Sequence, residues 1–199
     1  ARAQVSDLQD ELQELRESVY IDHLTGLANR RRFDGALELA LHEAPERGAL
    51  SLVICDLDHF KSVNDRFGHA VGDKVISAFA KQLHDAVSEN HIAGRIGGEE
   101  FCILAWNCQE EAAVTMADRI RVNFAKTAID GMPEDHRLTA SFGAAGRGQG
   151  EGYGKLFART DAALYRAKAA GRDRCEIDEA DGEVARQIAP PALKLVPRR

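Results

Sequence analysis

Residues 95–101 read Arg-Ile-Gly-Gly-Glu-Glu-Phe, two glycines and two adjacent carboxylates between short apolar runs. A hairpin that only reversed the chain would gain nothing from like charges at its tip, so the pattern predicts a turn that does chemistry. His91, Ile92, Gly94 and Ile96 before it, and Phe101, Ile103 and Ala105 after it, suggest two strands with the period of two. Gly97-Gly98 is the turn signal between them, since glycine accepts positive φ and lets a ligand approach the backbone closely. Glu99 and Glu100 then stand at the tip. A second acidic pair, Asp56 and Asp58, ends the apolar run 50–55, whose length suits a strand.

The elements that must position these groups follow from periodicity. Asn29 suits the N-cap of a helix with Phe33, Leu37, Ala40 and Leu41 on one face. A second helix follows Gly72-Asp73 and carries Val75, Ile76, Phe79, Ala80, Leu83 and Val87, a core stripe. A third carries Val114, Ala117, Ile120 and Phe124; a strand near 138–144, a helix over 153–170 and a short strand at 175–177 complete the pattern. Without its flanks the order is strand, helix, strand, strand, helix, strand, the split βαβ order of a ferredoxin-like α+β core. In that topology the third strand runs antiparallel beside the first, which brings the hairpin tip to Asp56 and Asp58. Two apart, those residues point to one side if the strand continues through them. Three or four carboxylates then converge. A pair ~4 Å apart repels by about 4 kcal/mol at an effective dielectric near 20, so the cluster needs a cation or shifted protonation. Oxygen ligands without His or Cys favour Mg²⁺ or Mn²⁺.

With 199 residues, 44% hydrophobic and 29% charged, the chain suits one full domain with appendages. Net charge −6 disfavours a nucleic-acid surface, and Arg30-Arg31-Arg32 is read as a solvated or dimer-facing helix start. The four cysteines show no C-x-x-C spacing, which predicts a reduced, cytoplasmic setting. No apolar run approaches the ~18 residues of a membrane span. Val5, Leu8, Leu12, Leu15 and Val19 repeat at steps of three and four, with Glu11 at g and Arg16 at e. This predicts a parallel coiled-coil dimer, the other reading being one amphipathic helix packed on its own domain. The expected organisation is a signalling helix at 1–20, a catalytic domain at 21–177 and a flexible Pro-containing tail at 178–199.

The sequence resembles the GGDEF family of diguanylate cyclases, in the GGEEF form of residues 97–101. Three further ordered blocks carry the likeness: Asp22-x-Leu24-Thr25-Gly26-Leu27-x-Asn29-Arg30; Asp56-x-Asp58-x-Phe60-Lys61-x-x-Asn64-Asp65-x-x-Gly68-His69-x-x-Gly72-Asp73; and Asp161-x-Ala163-Leu164-Tyr165-x-Ala167-Lys168-x-x-Gly171-Arg172. The resemblance implies a palm-like nucleotidyl cyclase fold. It also implies condensation of two GTP into cyclic di-GMP and two pyrophosphates across a homodimer, with an upstream sensor possible. It further implies two Mg²⁺ or Mn²⁺ ions per site, held by Asp56, Glu99 and the carbonyl of Leu57, with Asp58 a weaker contributor. Glu100 is the family's candidate base, with Glu99 or water as alternatives. Lys61 and the amides of His59 and Phe60 would cradle phosphates, and Lys168 and Arg172 would hold the outer ones. Asn64 and Asp73 match the guanine contacts, although Asp73 also suits a helix N-cap. His69 either touches substrate or is an ordinary loop histidine. The turn from Asp22 to Asn29 would link upstream motion to the site.

One departure stands out. Where many members carry an R-x-x-D product-binding site, this chain has Ser88-Glu89-Asn90-His91, which predicts little inhibition through that route. A catalytically idle GTP-binding module is the alternative, against which stand the intact Asp56, Glu99, Glu100 and Lys61. A polymerase palm or another nucleotidyl cyclase is disfavoured by the full set of blocks.

Overall fold

The computed structural model describes residues 19–133 and 135–178. The coiled-coil positions from Val5 to Leu15 and the tail beyond Asp178 lie outside the described residues. In chain order the elements are β1 (Ala28–Asn29), α1 (Arg30–Arg47), β2 (Leu50–Leu57), α2 (Phe60–Phe67), α3 (His69–Ala86), β3 (His91–Arg95), β4 (Glu100–Trp106), α4 (Glu110–Phe124), β5 (Ala140–Gly146), α5 (Tyr153–Ala169) and β6 (Cys175–Asp178). They build one sheet of order β1-β3-β4-β2-β5-β6. Its middle strands β3-β4-β2-β5, with α3 and α4 as crossovers, have the expected split βαβ arrangement, and β4 runs antiparallel beside β2. Among the described residues no helix is long and apolar enough to cross a membrane.

Every residue of β2 is buried, because both faces of the sheet are covered. Val53, Cys55 and Leu57 enter a core with α2, α3 and α4, where the Phe79 ring meets Phe101 and Phe124 edge-on at 5.0 and 4.8 Å. Such pairs add about 0.5–1.5 kcal/mol beyond burial of the rings. Leu52 and Ile54 face the other way, into a core with Phe33 and Leu37 of α1 and Leu156 and Leu164 of α5. Continuing that alternation, Asp56 emerges on the α1/α5 face.

Asn29 caps α1 as expected, its side-chain oxygen accepting from the Arg32 N–H at 3.1 Å. Other expectations need correction. α2 has no counterpart in the sequence reading, because eight residues are too few for a stripe to stand out. α3 starts at His69 rather than after Asp73, so Asp73 lies inside the helix and is no N-cap; Gly68, at φ 84°, makes the corner between α2 and α3. β3 stops at Arg95, and β5 lies two residues later than expected. At the hairpin neither Gly97 nor Gly98 adopts positive φ. A Cβ at Gly97 would meet the Glu100 carboxylate and turn that side chain aside.

Candidate active site

The β2–β4 register sets Asp56 directly opposite Glu100, and β5 places Ser141 on its other side. The hairpin tip is latched to β2 by the Leu57 N–H, which donates to the Glu99 carbonyl at 3.2 Å. Asp56, Glu99 and Glu100 are thereby gathered at one strand end, as the topology predicts. Asp56 is only 6% exposed. Burial raises its pKa above the ordinary range; Lys168 opposes this, while Glu100 and Asp58 reinforce it. Glu99 is also raised, by burial first and then by the Asp56 charge. The one cation against this cluster among the described residues is Lys168, whose Nζ lies 2.8 Å from Asp56 Oδ2.

Lys168 arrives there because α5 is pressed onto the sheet at Gly143, where any Cβ would run into the backbone of Thr160 and Leu164. The helix then ends in a Schellman turn: the Arg172 N–H donates to the Ala167 carbonyl at 3.0 Å and the Gly171 N–H to the Lys168 carbonyl at 3.4 Å. Gly171 and Arg172 both take positive φ, so Arg172 leaves the helical face on which Lys168 sits. The four-residue spacing of these two cations does not put them on one helical face.

Asp58 does not share the role of Asp56. Its carboxylate accepts from Thr139 Oγ1 at 2.7 Å, Ser141 Oγ at 2.7 Å and the Asp173 N–H at 3.1 Å. Asp173 in turn accepts from Arg121 at 2.8 Å and Arg137 at 3.0 Å. This bracket ties the ends of β2, α5 and α4 together. The sequence reading missed it, since Asp173 and Arg121 match no block and lie far apart in the chain. It also missed Arg95, whose guanidinium donates to the Gly97 and Gly98 carbonyls at 3.2 and 2.7 Å and pairs with Asp22 at 3.2 Å. Its position directly before the acidic hairpin was the available signal.

The remaining expected groups on α2 and α3 follow Asp58 in the chain. His59, in the left-handed region at φ 58°, opens α2, whose first-turn amides are those of Phe60 and Lys61. The Phe60 side chain is core, at 7% exposure, whereas Lys61 and His69 are exposed. The Asn64 amide lies against Gly72, where a Cβ would strike it, and Asp73 follows on the same helix. Asn64 on α2 thus packs beside the turn of α3 that carries Asp73. A cavity of about 430 Å³ lined by Arg32, His84, Ser88 and His91 occupies the place of the replaced product-binding motif, away from the acidic cluster.

Asp56, Glu99 and the Leu57 carbonyl are the groups that could hold a divalent ion, an all-oxygen set suited to Mg²⁺ or Mn²⁺. The site fits a cation, since a lysine ammonium already stands at Asp56. Among the described residues no three His, Cys, Asp or Glu side chains close into a ready-made metal cage.

The family described as "Diguanylate cyclase, GGDEF domain" matches residues 19–174. Diguanylate cyclase VdcA of Vibrio cholerae is 35% identical over 181 residues, 87% of this chain and 51% of the relative. The chain thus spans about half the length of that relative. The coiled coil and GGDEF domain of DgcB from Caulobacter crescentus, solved in complex with c-di-GMP, is similar at TM-score 0.84 and 35% identity, covering 89% of this chain and 95% of that one. The active GGEEF domain of a diguanylate cyclase from Vibrio cholerae is similar at TM-score 0.72 and 36% identity, covering 76% and 97%. Likeness of this extent, in sequence and in backbone alike, takes in the hairpin, the β2 end and α5 together, and makes the chain a member of the GGDEF-domain family of diguanylate cyclases.

Proposed function

We propose that the chain condenses two GTP into cyclic di-GMP and two pyrophosphates as a homodimer, each domain loading one nucleotide. The observation that carries this reading is the register of Asp56 against Glu100 with the Glu99 carbonyl latched to β2, which gathers carboxylates where β2 meets the first turn of α2. Asp56, Glu99 and the Leu57 carbonyl hold Mg²⁺ or Mn²⁺. When bound, such ions supply Lewis acidity toward the 3′-hydroxyl and offset charge on the α-phosphate and the leaving pyrophosphate. The amides opening α2, with Lys61, cradle the phosphates, and Lys168 and Arg172 take the outer ones. Asn64 and Asp73 read guanine, the carboxylate accepting from N1–H and the exocyclic amine, which adenine does not offer in that pattern. His69 borders this pocket.

In each half-reaction the 3′-oxygen of one GTP bonds to the α-phosphorus of the other, the bond to pyrophosphate breaks, and the hydroxyl proton passes to Glu100. The two nucleotides must be held face to face, so encounter geometry governs the rate. We assign residues 1–20 to a dimerising coiled coil answering to an upstream sensor, 21–177 to the catalytic domain in the cytoplasm, and 178–199 to a non-catalytic tail. Incubation with GTP and Mg²⁺, with the product identified by chromatography against cyclic di-GMP, tests the reading. GTP that binds without being consumed at any protein concentration would leave the idle module instead.

A further inference from the structure

Lys168 and Asp56 form an ion pair within the acidic cluster, with side chains 33% and 9% exposed. The lysine therefore lies on the solvent side of a carboxylate that is otherwise nearly sealed. We propose that Lys168 is the resident counter-ion of Asp56, and that the phosphates of an incoming nucleoside triphosphate must draw it away before Asp56 can accept a divalent cation. Nucleotide and metal then enter as one coupled event. The inference rests on the reading of Asp56 as a metal ligand and adds to it a gate built from this chain's own side chains.

Three observations lead there. First, the other charges that bear on Asp56 are of the same sign, Glu100 and Asp58, and Asp58 is already saturated by Thr139, Ser141 and the Asp173 N–H. Arg95, the other cation of the hairpin, is committed to Asp22 and to two carbonyls. Among the described residues no other group of opposite sign is paired with the buried Asp56. Second, an ammonium 2.8 Å from Oδ2 stands against the carboxylate that a metal ion would use, and two cations crowded onto that oxygen repel each other. Third, Lys168 is built to move. It is in the last turn of α5, just before the Schellman turn, and its charge rides on a four-carbon stem that reaches an anion as a point charge rather than as a rigid fork. A triphosphate offers it more negative charge than Asp56 does, and the arriving divalent ion takes over the pairing of the buried carboxylate.

Binding of Mn²⁺ alone, followed by the electron paramagnetic resonance of the free ion, tests the gate without recourse to activity. In the nucleotide-free protein, Lys168→Met is expected to bind Mn²⁺ about tenfold more tightly than the wild type, the scale on which a neighbouring cation competes for a carboxylate. Lys168→Gln is a second variant in case the first does not fold. Lys61→Met removes an equal charge that does not touch Asp56 and is expected to leave Mn²⁺ affinity within about twofold. Equal affinity in the wild type and both Lys168 variants overturns the inference, and so does an equal gain in Lys61→Met. If Asp56→Asn binds Mn²⁺ as well as the wild type in the presence of a non-hydrolysable GTP analogue, the metal-ligand reading itself fails and the gate with it.

Discussion

Asp56 and Asp58 carry the same side chain two positions apart, the first in β2 and the second in the turn just after it, and their partners separate them. Asp56 faces carboxylates and one lysine ammonium, whereas Asp58 accepts three hydrogen bonds from a serine, a threonine and a backbone N–H. Asp56→Asn is expected to cut turnover at least about 100-fold, the scale on which one electrostatic stabiliser acts, with the folded state retained. Asp58→Asn presents an amide N–H₂ to donors and is expected to cost about 1–3 kcal/mol of stability. Steady-state product formation and urea unfolding of the two variants check this; two similar phenotypes would contradict it. Asp73 lies within α3 and is not needed to cap it, so Asp73→Ser should relax the preference for GTP over ATP while leaving the melting temperature almost unchanged. Competition between the two nucleotides measures that preference.

Elements meet the site through two close contacts. α5 reaches Asp56 because Gly143 lets its backbone settle onto β5. Gly143→Ala is expected to lower stability by about 1–3 kcal/mol through overpacking, and to weaken the reach of Lys168 as the helix lifts. Thermal unfolding and nucleotide affinity measure the two effects. The hairpin is held by Arg95, which joins its carbonyls to Asp22 in the turn before β1. For Asp22, burial pushes the pKa up, but the Thr25 hydrogen bonds and the Arg95 guanidinium outweigh it and hold the carboxyl below its ordinary value. A carboxylate depressed in the folded state contributes stability above its unfolded pKa and loses it as pH falls through the folded one. Arg95→Met should therefore be less stable than the wild type at pH 7, with the gap narrowing below about pH 4 as Asp22 protonates and only the bonds to the Gly97 and Gly98 carbonyls are left to lose. Denaturant unfolding at both pH values checks the sign; a gap undiminished in acid would mean that the Asp22 pairing contributes nothing.

A whole molecule of this kind performs half of the proposed reaction. Specific activity is therefore expected to rise with protein concentration until dimers saturate, and Leu8→Asp with Leu12→Asp should lower it at low concentration while shifting sedimentation toward the monomer. Unchanged sedimentation would favour the single amphipathic helix. Much of this protein was legible in its residues. The order of elements, the meeting of the hairpin with the end of β2, the Asn29 cap and the family likeness all follow from local period, turn chemistry and block spacing, which one chain segment carries by itself. Short α2 did not show, because a stripe needs several turns to emerge, and the N-cap alternative for Asp73 arose because the helix start was placed too late. Tertiary structure alone decided how each carboxylate is partnered. Identical groups differ only in the partners that distant segments bring: Ser141, Thr139 and Asp173 to Asp58, Lys168 to Asp56, Arg95 to Asp22. Those pairings act through space across many tens of residues, and no local pattern encodes them.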